Sequence, residues 1–108
     1  MAISHAQPGE VINVRPLQSD LAVSKTMTLF KTDTVEVLRM VLPRGKKIAE
    51  HKAPGELMVQ CIEGRVAFTT MGKTNDLSAG DLLYLAVGEP HALHALEDST
   101  LLVSILFR

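Results

Sequence analysis

The residues of this chain best able to do chemistry are its four histidines, His5, His51, His91 and His94, and its one cysteine, Cys61. Two imidazoles can share a divalent ion or grip a polar ligand. Neutral imidazoles without a carboxylate or third ligand hold such an ion poorly, since the familiar non-haem iron site needs two histidines and a carboxylate. The thiol of Cys61, as thiolate, would complete a credible metal set with them. A lone cysteine on an apolar strand face is more often a small buried hydrophobe, however, and no base stands at local spacing to make Cys61 a nucleophile. His94 follows His91 by three residues, so strand alternation places it on the other face. His5 has no supporting context. Arg44, Lys46 and Lys47 cluster beside Pro43 and Gly45; in a chain that is not basic overall they read as a solvated turn rather than a phosphate site. The glycines form no phosphate-binding fingerprint and are spaced as turns.

Short strands must position these groups. From Pro43 onward breakers recur at Gly45, Pro54-Gly55, Gly64, Gly72, Gly80 and Gly88 with Pro90, too close together for an average helix and well suited to a sandwich or barrel. The segments between them are rich in β-branched and large apolar residues: 34–42 (TVEVLRMVL), 57–62 (LMVQCI), 65–71 (RVAFTTM), 81–85 (DLLYL) and 101–107 (LLVSILF). None has a sustained helical period. Glu63-Gly64 and Met71-Gly72 are read as hairpin tips, because glycine accepts positive φ. Residues 11–14 and 26–31 are expected to form two further strands, with a helical turn or plain loop at Asp20-Leu21-Ala22. No internal boundary, repeat or low-complexity tract breaks residues 1–108, so one domain is expected.

Composition bounds the function. Eleven basic and twelve acidic residues give a net charge of −1, so no strong field draws in nucleic acid or an anionic membrane. Tryptophan is absent and aromatics are 4%, which weakens base stacking as a binding mode. The longest apolar run, 82–87, is too short to span a bilayer. Residues 1–10 lack the apolar core of a secretory signal, and one cysteine excludes an internal disulfide. A cytoplasmic location is expected.

Two segments carry a family resemblance. Residues 45–64 read GKKIAEHKAPGELMVQCIEG and residues 80–95 read GDLLYLAVGEPHALHA. They resemble the two motifs of the cupin superfamily, G-x5-H-x-H-x3-4-E-x6-G and G-x5-P-x-G-x2-H-x3-N. Gly45, His51 and Gly64 keep the first spacing; Gly80, Gly88 and His91 keep the second. The resemblance implies an all-β fold, the double-stranded β-helix or jelly-roll barrel. In metal-binding cupins the histidines and glutamate of these motifs bind a divalent transition metal. Here the second histidine of the first motif is replaced by Ala53, the glutamate by Leu57, and the proline and asparagine of the second motif by Ala86 and Ala95. Only His51 and His91 remain of the four ligand positions. Glu56 stands one residue from the lost glutamate, an offset that turns a strand side chain to the opposite face unless a bulge intervenes.

The expectation is therefore a small cupin whose barrel binds a small molecule without a full metal site and without catalysis. His51 and His91 are expected to face each other across the cavity, with Leu57, Val59 and Cys61 as an apolar strip on one strand. No metal is expected at high affinity. The alternative is a metal-dependent enzyme of the dioxygenase or isomerase type, using His51, His91 and a third ligand. Residues 101–105 are apolar at nearly every position, and a strand apolar on both faces needs cover, so a homodimer is expected.

Overall fold

The computed structural model describes residues 5–107; the first four residues of the segment read above for a secretory signal, and Arg108, lie outside it. Among the described residues nine strands follow one short helix: β1 (Met27–Lys31), β2 (Val35–Leu42), β3 (Lys47–His51), β4 (Glu56–Glu63), β5 (Arg65–Thr70), β6 (Lys73–Ser78), β7 (Leu82–Leu85), β8 (His91–Ala95) and β9 (Ser99–Leu106). They form a five-stranded sheet in the order β1-β2-β9-β4-β7 and a four-stranded sheet in the order β3-β8-β5-β6. Every pairing is antiparallel. The chain passes from one sheet to the other after β2, β3, β4, β6, β7 and β8, giving the jelly-roll barrel that the motifs imply.

Period-two burial explains the barrel. In β5 the inward residues Val66, Phe68 and Thr70 are buried while their neighbours are not. Leu57, Val59 and Cys61 alternate in the same way along β4. The inner faces meet in one core that joins Leu57, Val59, Leu101 and Val103 of the larger sheet to Phe68 and Leu93 of the smaller. Burying a side chain of this kind stabilises the fold by roughly 1.5–3 kcal/mol relative to leaving it exposed. No helix among the described residues is long and apolar enough to cross a membrane.

Two expectations are corrected, the strand at residues 11–14 and the hairpin tip at Glu63-Gly64, and the helical turn expected at Asp20-Leu21-Ala22 is present. Residues 11–14 are not a strand; Val11 is 98% exposed, so its β-branched side chain has no sheet to pack on. Residues 18–23 form a short 3-10 helix, which seats only Leu21. Glu63-Gly64 is not a hairpin tip, because β4 and β5 lie in different sheets. It is the corner between them. Met71-Gly72 does close a two-residue hairpin, between the paired residues Thr70 and Lys73, and both turn residues have positive φ as that turn requires.

The outer face of β9 is covered at one end by the chain itself. The Glu63 carboxylate accepts hydrogen bonds from the Leu17 amide at 2.6 Å, the Gln18 amide at 3.0 Å and the Thr100 hydroxyl at 2.7 Å. Burial alone would raise the pKa of Glu63, but these three bonds and the charge of Arg39 hold it below the usual carboxylate value. Leu82, Tyr84 and Leu106 remain exposed at the other end of this sheet.

Candidate functional site

A cavity of about 170 Å3 lies between the sheets at the β3–β4 end of the barrel. Leu57 and Val59 of β4 line one wall with Val103 and Ile105 of β9 and Leu38 and Met40 of β2; Phe68 and Leu93 line the other. His51, His91, Lys52, Ala53 and Pro54 stand around its mouth. Four of the five residues expected in the cavity are thus brought together. Cys61 is not one of them. It is 1% exposed within the core, and its Sγ reaches the Glu63 carbonyl at 3.5 Å. Burial, then the charge of Asp81, pushes its thiol pKa up, so it stays a neutral thiol.

His51 ends β3 and His91 begins β8, and the two are paired across adjacent strands of one sheet. The expectation that they face each other across the cavity is corrected: they stand side by side, ring centroids 4.3 Å apart and planes at 60°. A register irregularity between Ile48 and His51 produces this arrangement. Residues three apart on a regular strand lie on opposite faces. The extra residue of a bulge restores the face, so Ile48 packs on the core while His51 lines the cavity. No amino-acid signal in residues 47–51 marks that bulge. His91 is 4% exposed and stacks on Phe68, with centroids 5.5 Å apart and planes at 7°. His51 is exposed at the mouth.

Each ring is held by its own backbone. Nδ1 of His51 lies 3.0 Å from the Ala49 carbonyl, and Nδ1 of His91 lies 3.1 Å from the Glu89 carbonyl. A carbonyl oxygen only accepts, so both Nδ1 atoms carry the proton and donate it. In the neutral ring Nε2 is then an unprotonated acceptor. Burial pushes the His91 pKa below its ordinary value; the bond to Glu89 opposes this, and His51 adds to it.

A folded His91 that resists protonation makes stability depend on pH. Its contribution is complete above the unfolded value of about 6.5 and is lost as the pH falls below that toward the lowered folded value. Thermal melts are expected to show stability falling from pH 7.5 to pH 5, with a shallower fall in His91→Phe. An equal slope in the two proteins would assign the effect elsewhere.

The other candidates lie apart. His94 is on the outer face of β8, opposite Lys47 and Ala67. Glu56 accepts a hydrogen bond from the Tyr84 hydroxyl at 3.1 Å and does not line the cavity. Arg44, Lys46 and Lys47 are exposed around the turn into β3, where the Arg44 amide bonds to Asp98. His5 lines two hollows beside β1, apart from the His51–His91 cavity. No group of three or more His, Cys, Asp or Glu able to hold a metal occurs among the described residues. The residues present therefore do not fit the divalent ion that the motif pattern implies: the walls where its other two ligands would stand are the methyl of Ala53 and the side chain of Leu57.

Comparison with known proteins agrees with the topology. A conserved protein of unknown function from Streptococcus pyogenes is 24% identical, with a TM-score of 0.76 over 100% of this chain and 98% of that one. A cupin superfamily protein from Desulfitobacterium hafniense is 19% identical, with a TM-score of 0.78 over 95% of this chain and 100% of that one. A salicylate 1,2-dioxygenase from Pseudaminobacter salicylatoxidans is 25% identical, with a TM-score of 0.64 over 67% of this chain and 21% of that one. A comparison with curated protein sequences finds no match. The cupin domain model matches residues 38–107. That match runs from within β2 to the end of β9 and takes in every strand that lines the cavity, so the chain belongs to the cupin family.

Proposed function

We propose that this cupin binds a small organic molecule in its barrel, without a complete metal site and without catalysis. The observation that carries the reading is the make-up of the cavity: apolar walls from both sheets, with one polar end at His51 and His91. Apolar lining with a few placed polar groups is the usual composition of a small-molecule pocket. Two imidazoles without a carboxylate make a weak divalent site, and Ala53 and Leu57 add no donor.

Elemental analysis of protein purified without added metal tests this. Well under one transition metal per chain is expected, unchanged in His51→Ala. Close to one metal per chain, lost in His51→Ala, would overturn the proposal in favour of a metal-dependent enzyme that draws a third ligand from elsewhere.

A further inference from the structure

Resting on that reading of the cavity, we propose that its ligand is a neutral, hydroxyl-headed molecule of one-ring size, a phenol or ring alcohol, that donates its hydroxyl hydrogen to an imidazole of the His51–His91 pair.

The hydrogen-bonding polarity of the site follows from the backbone. Both Nδ1 protons are committed to the Ala49 and Glu89 carbonyls, and neither Nε2 has a protein partner among the described residues. Each ring therefore offers a ligand an acceptor and not a donor. A hydroxyl or amide N–H satisfies an acceptor; a carboxylate, which only accepts, meets two lone pairs. A carboxylate would need one ring protonated, and burial opposes that at His91. Lys52 stands at the mouth, but it is exposed, and an ion pair with a solvated ammonium contributes little.

The size of the ligand follows from the volume. An apolar cavity of about 150 Å3 accepts a benzene molecule, and this one is about 170 Å3. A ring with one polar substituent fills it, whereas a sugar would set several hydroxyls against its apolar walls. The walls suit a ring as well. Phe68 and His91 stand nearly parallel, with His51 edge-on, and apolar side chains face them from the other sheet. A hydroxyl lets such a ring donate at the histidine end without carrying a second unbonded polar atom, such as an amide carbonyl, among the apolar walls, which is costly.

The test uses EDTA-treated full-length protein at pH 7.5, titrated with phenol, toluene and benzoate. Long-range 1H–15N spectra of the histidine rings report binding. Both rings are expected to show the Nδ1-protonated form before titration. Phenol is expected to bind about 3–10-fold more tightly than toluene, the usual gain from one hydrogen bond, and to move an Nε2 resonance that toluene leaves in place. Benzoate is expected to be the weakest of the three. The advantage of phenol over toluene should disappear in His51→Phe or in His91→Phe, whichever ring is the acceptor. Benzoate binding as tightly as phenol, or toluene as tightly as phenol, would overturn the ligand class and leave the cavity reading standing. Failure of all three to move any cavity resonance would overturn both.

Discussion

Replacing Ala53 by histidine and Leu57 by glutamate in one protein is expected to raise affinity for a divalent transition metal by roughly 100-fold or more, because it adds an imidazole and a carboxylate to the two imidazoles present. Ala53 and Leu57 line the same cavity as His51 and His91, so the new groups enter a space the existing pair already borders. The metal-free variant should be less stable than the natural chain. Leu57 is 4% exposed, and exchanging it for glutamate forfeits roughly 1.5–3 kcal/mol of apolar burial and puts a carboxyl where its charged form is poorly solvated. Metal binding to the folded state alone then returns stability by mass action, about 2.7 kcal/mol at a hundred times the dissociation constant. The measurement is the melting temperature with and without added Zn or Mn in the natural chain, the two single variants and the double variant. A metal-dependent rise confined to variants that carry the new ligands supports the assignment of the cavity. A natural chain that rises as much as the double variant would show that a third ligand is already in place. The double variant should also lose affinity for phenol, since the metal would occupy the imidazole nitrogens.

How much of this was legible beforehand depends on what each residue does in the fold. The strands read correctly from sequence, β1, β2, β4, β5, β7 and β9, combine branched or large apolar side chains with clear breaks between them. The strands not delimited by that reading are β3 (KIAEH), β6 (KTNDLS) and β8 (HALHA). β6 buries only Leu77; its lysine, asparagine and aspartate disfavour strands, and it exists because the Met71-Gly72 turn folds it back on β5. β3 is an edge strand, open to solvent and bulged. Residues 11–14 show the converse: β-branched side chains do not make a strand where no sheet edge accepts them. The spacing of the motif histidines placed them in one cavity, because spacing along paired strands survives substitution. It did not reveal that they are neighbours, since the pairing of β3 with β8 joins residues forty apart in sequence. Cys61 was assigned to the inner face by parity, and it is there, but parity gives only the face. Its position along β4 puts it beside Leu101, past the closed end of the cavity.

Gly64→Ala is expected to be among the most destabilising single changes in the chain, at about 3–5 kcal/mol. Gly64 makes the corner where the chain leaves the larger sheet after β4 and enters the smaller at β5. Its φ is +84°, a conformation that costs an L-residue roughly 1–2 kcal/mol. The corner is also closed from above. A Cβ at this position would lie 2.8 Å from the Ser99 Cα and run into the Ser99 hydroxyl and the Asp98 carbonyl oxygen. Ser99 has no room to yield. It is fully buried, and its hydroxyl accepts from the Arg65 amide at 3.0 Å and lies within hydrogen-bonding distance of the Glu97 carbonyl, at 2.7 Å. Moving it would break the link between β5 and the start of β9, next to the Thr100–Glu63 bond that anchors the N-terminal segment. At about 4–8 °C per kcal/mol for a domain approaching this size, the melting temperature should fall by roughly 12–40 °C. Total stability in small domains is only about 5–15 kcal/mol, so much of the protein is expected to be insoluble. Gly72→Ala is the control. It has a comparable φ of +74°, but a Cβ there meets nothing within 4 Å, so only the conformational term remains, about 1–2 kcal/mol. Equal losses in the two variants would mean that positive φ alone fixes these glycines; a much larger loss at Gly64 ties this motif glycine to the close approach of Ser99 and Asp98.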